Sequence, residues 1–388
     1  MPDPLYLLSP IETAWGYVVG STGSLAPSTD ESLTARQALE AVVLTALRRP
    51  PCGVAFSGGR DSSAVLAIAT HVARREGLPD PVPITRVFPD EPESDERSWQ
   101  ELVVGHLGLR DWQRLVIHDE LDVVGPLATR HLREHGIVWP PTIAGDVPML
   151  EVVRGGSLLD GEGGDDVLGD AKHRVAPLAR LLRQPRPLGW RRLRRAARAV
   201  APAPLRARAF RRNWHDGTPT PWLTAPAAAE LTAALERQER RRPLPFPASV
   251  RTVPLRRTQV LGARNRRILA APYDVQLTSP LLQAEVVHAF ARQGGVLGPG
   301  DRSAVLRGLL PDLLPDEVLG RSTKAAFTGA YMGRPSRELV AGWQGDGVDP
   351  ALVDVDALRG LWRSDVRVAL TAALLQQAWL ATNVTSNP

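Results

Sequence analysis

Val54-Ala-Phe-Ser57-Gly58-Gly59-Arg60-Asp61-Ser62-Ser63 is the stretch on which the fold turns. Val54, Ala55 and Phe56 suit a buried strand and run into a Ser-Gly-Gly turn. Beyond Asp61, apolar residues at Ala64, Val65, Ile68 and Val72 recur with the spacing of one helix face. The stretch therefore predicts strand, glycine loop and helix. Such an arrangement binds anions. The glycines let an oxyanion approach the backbone, the loop and helix N-terminus present unpaired N–H groups, and the helix dipole favours negative charge there. Ser57, Ser62 and Ser63 add hydroxyl donors. The loop is not of the Walker type, because no Gly-Lys-Ser/Thr follows the glycines.

Reading outward towards the N-terminus, Thr34 and Gln37 have capping-box spacing. Leu39, Val42, Val43, Ala46 and Leu47 then form one apolar helix face, and Pro50-Pro51 closes it. Residues 4–8 and 15–19 predict two strands of a small hairpin. Towards the C-terminus, strands are expected at 53–57, 84–88, 114–117 and 157–160. Helices are expected from near Asp95, over 119–135 and over 146–154. This alternation implies an α/β fold with a doubly wound, mainly parallel sheet. Ligands of such sheets sit beyond the carboxyl ends of the strands. The second glycine-rich turn, Gly161-Glu162-Gly163-Gly164-Asp165, follows the strand at 157–160, so both turns can meet one ligand.

The organisation expected is a short N-terminal segment (1–35), a nucleotide-binding core (36–170), a basic helical insertion (171–250) and a helical C-terminal part (251–388). In the last, helices are expected at 281–290, 301–310 and 365–381. The final one is to be capped by Ser364 or Asp365, with Val366, Leu370, Ala373, Leu374 and Ala378 inward. Arg191, Arg192, Arg194, Arg195, Arg198, Arg206, Arg208, Arg211 and Arg212 crowd the insertion, with Leu193, Ala197 and Val200 between them. Two readings stand: a basic amphipathic helix that holds an acidic peptide, nucleic acid or a membrane surface, or a solvated helical insertion. Aromatics are too sparse there for a base-stacking platform.

Composition bounds the class. The 388 residues are 43% hydrophobic, enough for a substantial core. The net charge of +5 and a pI near 9.9 suit a polyanionic partner, or equally a composition that prefers arginine. A single cysteine, Cys52, excludes an intrachain disulfide and fits a reducing compartment; no Cys/His cluster suggests zinc. Cys52 is expected to be packed rather than catalytic. No signal-like N-terminus and no apolar run of about 20 residues is present, so a soluble, cytoplasmic protein without a membrane partner is expected.

Two motifs together carry a family resemblance. Ser57-Gly-Gly-Arg-Asp-Ser-Ser63 resembles the Ser-Gly-Gly-x-Asp-Ser loop of enzymes that split ATP into AMP and pyrophosphate, a class that includes NAD and GMP synthetases and tRNA-modifying enzymes. Leu158-Leu-Asp-Gly-Glu-Gly-Gly-Asp-Asp166 resembles the Leu-Ser-Gly-Glu-Gly-Ala-Asp-Glu motif of asparagine synthetase-like proteins. Arg302-Ser-Ala-Val-Leu-Arg307, Leu314-Pro315 and Arg321-Ser-Thr-Lys324-Ala-Ala-Phe327 resemble that family's lysine-bearing loop.

The resemblance implies the PP-loop type of α/β fold and an ATP-dependent, AMP-forming ligase that joins a carboxylate to an amine. It implies ATP and Mg²⁺ as cofactors, with Asp61 and Asp165 on the metal. It implies Ser57, Gly58, Gly59, Asp61, Ser62, Asp160 and Gly161 around the nucleotide, and Glu162 and Lys324 as catalytic residues. Arg60, Asp160, Gly164, Asp166 and Asp170 depart from the family pattern, which leaves the metal and base positions filled. Pro2 stands where glutamine-using relatives carry a nucleophilic cysteine, and about 35 residues stand where their glutaminase domain would be. The amine is therefore expected to be ammonia, ammonia from a partner glutaminase, or a group on the substrate itself. The last resembles β-lactam synthetases and lasso-peptide cyclases, with a precursor peptide as substrate. Alternatives are an ammonia-using asparagine synthetase and a non-catalytic, nucleotide-binding scaffold for a partner biosynthetic protein. A tRNA-binding enzyme is argued against by the second motif.

Overall fold

Val54 lies in β1 (Cys52–Ala55), the middle strand of a five-stranded, all-parallel sheet in the computed structural model. The structure describes residues 6–27, 32–183, 189–217, 220–321, 323, 325–364 and 366–383. On one side of β1 lie β2 (Val82–Val87) and β3 (Gln113–Val116). On the other lie β4 (Ser157–Leu159) and β5 (Gln276–Thr278), which gives the order β3-β2-β1-β4-β5. Val54 is in register with Pro83 of β2 and Leu159 of β4. The direction of strand addition reverses between β1 and β4. That switch point opens a crevice beyond their carboxyl ends, where ligands of such sheets bind.

The helices follow from local signals and from the faces they bury. α1 (Pro10–Trp15) and α2 (Ala35–Leu47) precede β1. α2 starts at the anticipated box: Thr34 Oγ1 accepts from the Gln37 N–H at 3.2 Å, and Gln37 Oε1 accepts from the Thr34 N–H at 2.9 Å. α3 (Arg60–Arg75) connects β1 to β2, and α4 (Arg97–Leu107) connects β2 to β3. α5 (Pro126–His135) and α6 (Val147–Val152) lie between β3 and β4. After β4 come α7 (Gly164–Val167), then the insertion helices α8 (Ala176–Arg183), α9 (Trp190–Val200), α10 (Ala203–Gly217) and α11 (Ala225–Arg241). α12 (Phe246–Val250) and α13 (Arg257–Ala270) lead to β5; α14 (Ala284–Gln293) and α15 (Arg302–Leu309) follow it. Ala64 to Thr70, Val72 and Ala73 of α3 are all buried. A helix apolar on so many sides must be enclosed, and α3 lies in one core cluster with α2 and β1. The glycine loop is thus anchored at both ends in one buried core cluster, by Val54 and Phe56 before it and by Ala64 and Val65 after it.

Several expectations need correction. The hairpin over 4–8 and 15–19 is absent among the described residues. Ser9-Pro10-x-Glu12 instead forms a capping box with proline in the first turn, and this local chemistry starts α1. The helix over 119–135 shrinks to α5. The Asp122 side chain is fully buried and turns the chain before it, accepting from Val124 N–H (2.9 Å), Ser336 Oγ (2.7 Å) and Gly333 N–H (2.6 Å). The C-terminal part is mostly helical, as expected, but it also supplies β5, a strand that was not expected. The last helix spans Ala372–Asn383 rather than 365–381. Ser364 ends the preceding helix, Val366 is 61% exposed, and Asp365 lies outside the described residues. Cys52 is buried as expected, and burial raises its thiol pKa to about 11, which keeps it protonated. Among the described residues no helix is long and apolar enough to cross a membrane.

Candidate active site

The β1–α3 loop is shaped by its neighbours. Gly58 has φ +84°, and a Cβ there would lie 2.9 Å from the Gln100 side chain of α4, so glycine is required twice over. Gln100 donates to the Ser57 carbonyl at 3.1 Å. Within the loop, Ser57 N–H donates to Ser62 Oγ at 3.2 Å, and Ser62 Oγ donates to the Gly59 carbonyl at 3.1 Å. α3 opens at Gly59 with no side-chain cap. Its first N–H groups are therefore left to whatever enters the crevice.

The β4 loop lies directly on this one. A Cβ at Gly161 would sit 2.8 Å from Ser62 N, and one at Gly164 would overlap the Asp61 carboxylate. Glycine at 164 gives Asp61 its place beneath α7. Arg302, the first residue of α15, then forms ion pairs with both Asp61 and Asp165. Two carboxylates about a hundred residues apart in sequence converge on one cation.

α13 supports the acidic loop from the other side. Gln259 and Arg266, seven residues apart, share one helix face. Gln259 Nε2 donates to Glu162 Oε1 at 2.9 Å. Arg266 donates to Asp160 (2.7 Å) and Asp146 (2.6 Å), and Asp160 in turn accepts from the Glu162 N–H at 3.0 Å. Burial alone would make the Arg266 cation less stable; the two carboxylates more than reverse this. Arg256 donates to Asp166 at 2.9 Å. Glu162 faces the crevice, with protein crowding its other sides. That desolvation raises its carboxyl pKa; the Gln259 bond opposes the rise and the Asp160 charge adds to it.

These groups line one cavity of about 610 Å³. Its walls include Ser57, Gly59, Asp61, Ser62, Asp160, Gly161, Glu162 and Asp165. Of the nucleotide-site expectations, Gly58 is not in the wall; its part is conformational. Lys324 lies outside the described residues, while Thr323, Ala325 and Phe327 line the cavity. Sequence reasoning missed Arg86, Glu96, Gln259, Arg266 and the pairing role of Arg302. It also missed Arg321, which is buried against Glu96, donates to the Gly58 carbonyl at 3.0 Å and stacks over Trp99 at 4.7 Å. The seven-residue spacing of Gln259 and Arg266 is a usable signal; single arginines in an arginine-rich chain are not.

The Ser-Gly-Gly loop, the Gly-Glu-Gly turn pressed against it and the two aspartates on one cation thus meet in a single cavity. None of the curated proteins compared with the chain matches it. The family model for asparagine synthase matches residues 34–382, which covers β1 to β5, both glycine loops and the cavity. The chain therefore belongs to the asparagine synthase family, the carbon–nitrogen ligases that use ATP to make an amide bond.

Proposed function

We infer that the protein activates a carboxylate as its acyl-adenylate and transfers the acyl group to an amine. In the first step a carboxylate oxygen bonds to the α-phosphorus of ATP as the α–β bridging bond breaks, and pyrophosphate leaves. In the second the amine bonds to the acyl carbon, the C–O bond to the phosphate breaks, and AMP departs. The amine proton goes to Glu162, whose burial-raised pKa makes it a stronger proton acceptor than an ordinary carboxylate. Ser57, Gly59, Ser62, Asp160 and Gly161 line the nucleotide, with the open N-terminus of α3 directed at its phosphates. Lys324, carried over from the family resemblance, serves as the second catalytic group.

Asp61 and Asp165 would hold Mg²⁺. The donors fit a hard divalent ion: two carboxylates, with no imidazole or thiolate. Asp61 Oδ1 is buried and takes no hydrogen bond, only the Arg302 cation. No cluster of three or more ligating side chains occurs among the described residues, so the remaining ligands would have to come from phosphate oxygens and water. When bound, the ion offsets phosphate charge as pyrophosphate departs.

The convergence of Asp61 and Asp165 on one cation, beside Glu162, carries this reading. ATP–pyrophosphate exchange tests it in wild type and Glu162→Gln, over a panel of carboxylates. The expected result is exchange in both proteins, with amide formation lowered about 10²–10⁴-fold in the variant. ADP and phosphate as products would overturn it.

A further inference from the structure

Residues 171–215 hold 14 basic side chains and no acidic one. The other 343 residues hold 33 basic against 42 acidic, a net charge of −9. The basic balance of the chain is therefore not a uniform preference for arginine. It is one positive region on an otherwise negative protein.

The same region carries much of the exposed apolar surface. Eleven large apolar side chains stand exposed among the described residues, and five of them are Leu182, Trp190, Leu193, Val200 and Leu205. Apolar residues exposed singly are ordinary; five gathered on the consecutive helices α8, α9 and α10 are not. Trp190, at the start of α9, is 75% exposed, a large apolar ring to leave in water.

α9 sets these residues in order. At 3.6 residues per turn, Trp190, Leu193, Ala197 and Val200 share a stripe about 80° wide. Arg191, Arg194, Arg195 and Arg198 form the neighbouring stripe, about 100° wide. Ala196 and Ala199, the buried residues of the helix, face the protein, and both stripes are exposed. The side chains of the four arginines make no hydrogen bond or ion pair among the described residues. Trp190, Leu193 and Val200 line neither the catalytic cavity nor the groove between α8 and α11, to which α9 contributes Arg195, Arg198 and Ala199. The apolar stripe lies on the open side of α9, away from that groove.

We propose that α9 lies in the headgroup layer of an anionic phospholipid surface. Trp190, Leu193 and Val200 enter the acyl boundary, and Arg191, Arg194 and Arg198 meet the lipid phosphates. Interfacial helices have this make-up, with Trp and Leu on one side and arginines beside them. The long arginine stems run along the apolar boundary while the guanidinium groups stay with phosphate. Charge alone would suit any polyanion. The apolar stripe selects among them, because a nucleic acid backbone or a polyglutamate chain on the arginines leaves Trp190, Leu193 and Val200 in water. An open face also suits a planar occupant better than a partner helix, which docks in a groove. The expectation of no membrane partner rested on a missing signal and a missing spanning run. Neither bears on a helix that lies on a bilayer rather than across it. The docking is independent of the ligase reading.

The test is vesicle flotation of the full chain, with phosphatidylcholine alone and with phosphatidylcholine mixed with phosphatidylglycerol. The variants are Trp190→Ser/Leu193→Ser/Val200→Ser and, separately, Arg191→Gln/Arg194→Gln/Arg198→Gln. Wild type is expected to float with the mixed vesicles, to stay down with phosphatidylcholine alone, and to release as salt rises. The arginine variant is expected to lose about 10²-fold in partitioning, at about fivefold per cation, and the apolar variant about tenfold. Wild type that stays down with both vesicles overturns the proposal. An apolar variant that floats as well as wild type also overturns it, since the arginines would then serve any polyanion. Anisotropy with a labelled single-stranded oligonucleotide and a labelled polyglutamate peptide covers the rival occupants: binding of either without flotation assigns the face to nucleic acid or protein instead. Melting temperature and ATP–pyrophosphate exchange are both expected unchanged, because none of the six substituted side chains is buried or lines the catalytic cavity. They separate a loss of docking from a loss of fold or a failure of the ligase reading.

Discussion

A carboxyl whose pKa is lifted by burial holds a proton more strongly than an ordinary one, and Glu162 is in that state at the mouth of the cavity. If Glu162 is the base, amide formation rises with pH as the carboxyl ionises, and the limb lies above the usual carboxylate range. Gln259→Leu removes the bond that favours the ionised form, so the limb moves to higher pH; the pH profile of the transfer step reads this directly. Stability carries the same sign. A carboxyl with a folded pKa above its unfolded value stabilises the fold fully below the unfolded pKa and loses that contribution as pH rises through the folded one. Glu162→Gln is therefore expected to melt higher than wild type at about pH 8 and equally at about pH 4. A lower melting temperature at the higher pH would contradict the burial account.

At the scale of elements, the crevice is held by pairs that join segments distant in sequence. Arg321 and Glu96 are both almost fully buried, and Arg321 ties the chain after residue 320 to the glycine loop through Gly58. Arg321→Ala is expected to cost about 3–5 kcal/mol in denaturant unfolding, because it strands a buried carboxylate. Replacing both partners with apolar residues of like volume should cost far less, yet raise the KM for ATP by loosening the loop. What was legible beforehand follows the same division. The loop at 57–61 and the helix cap at Thr34 have local determinants, and the structure carries both. β5 was not legible. Gln276-Leu-Thr278 is too short to show alternation and is a strand because the edge of β4 pairs with it. Arg266, Arg302 and Arg321 act on residues more than a hundred positions away, so nothing beside them in sequence marks them.

Over the whole molecule, two buried histidines set an acid limit. Burial lowers the pKa of both His131 and His173 to about 4. His173 lies between Ser249 Oγ (2.9 Å) and the Asp166 carbonyl (2.7 Å), whereas His131 Nε2 is buried without a partner. A depressed histidine stabilises the fold above the unfolded pKa, and this is lost as pH falls from about 6.5 towards 4. Chemical denaturation across that window is expected to show the loss, and His131→Leu should flatten part of it. The parallel sheet and the meeting of the two glycine turns were readable from the alternation of strands and helices, whereas the strand order and the switch between β1 and β4 were not. The charge segregation between residues 171–215 and the rest was equally present in the sequence, but hidden by the net figure of +5.

The central claim is that a carboxylate attacks the α-phosphorus of ATP in the crevice between β1 and β4. Isotope transfer tests it most directly. Aspartate and a set of acidic peptides, labelled with ¹⁸O in their carboxylates, are incubated with the enzyme, ATP, Mg²⁺ and an amine, and the nucleotide products are weighed by mass spectrometry. The account predicts AMP carrying one ¹⁸O in its phosphate, lost on Asp165→Ala by roughly 10²–10³ in rate. Label in inorganic phosphate with ADP, or unlabelled AMP beside the amide, would contradict it.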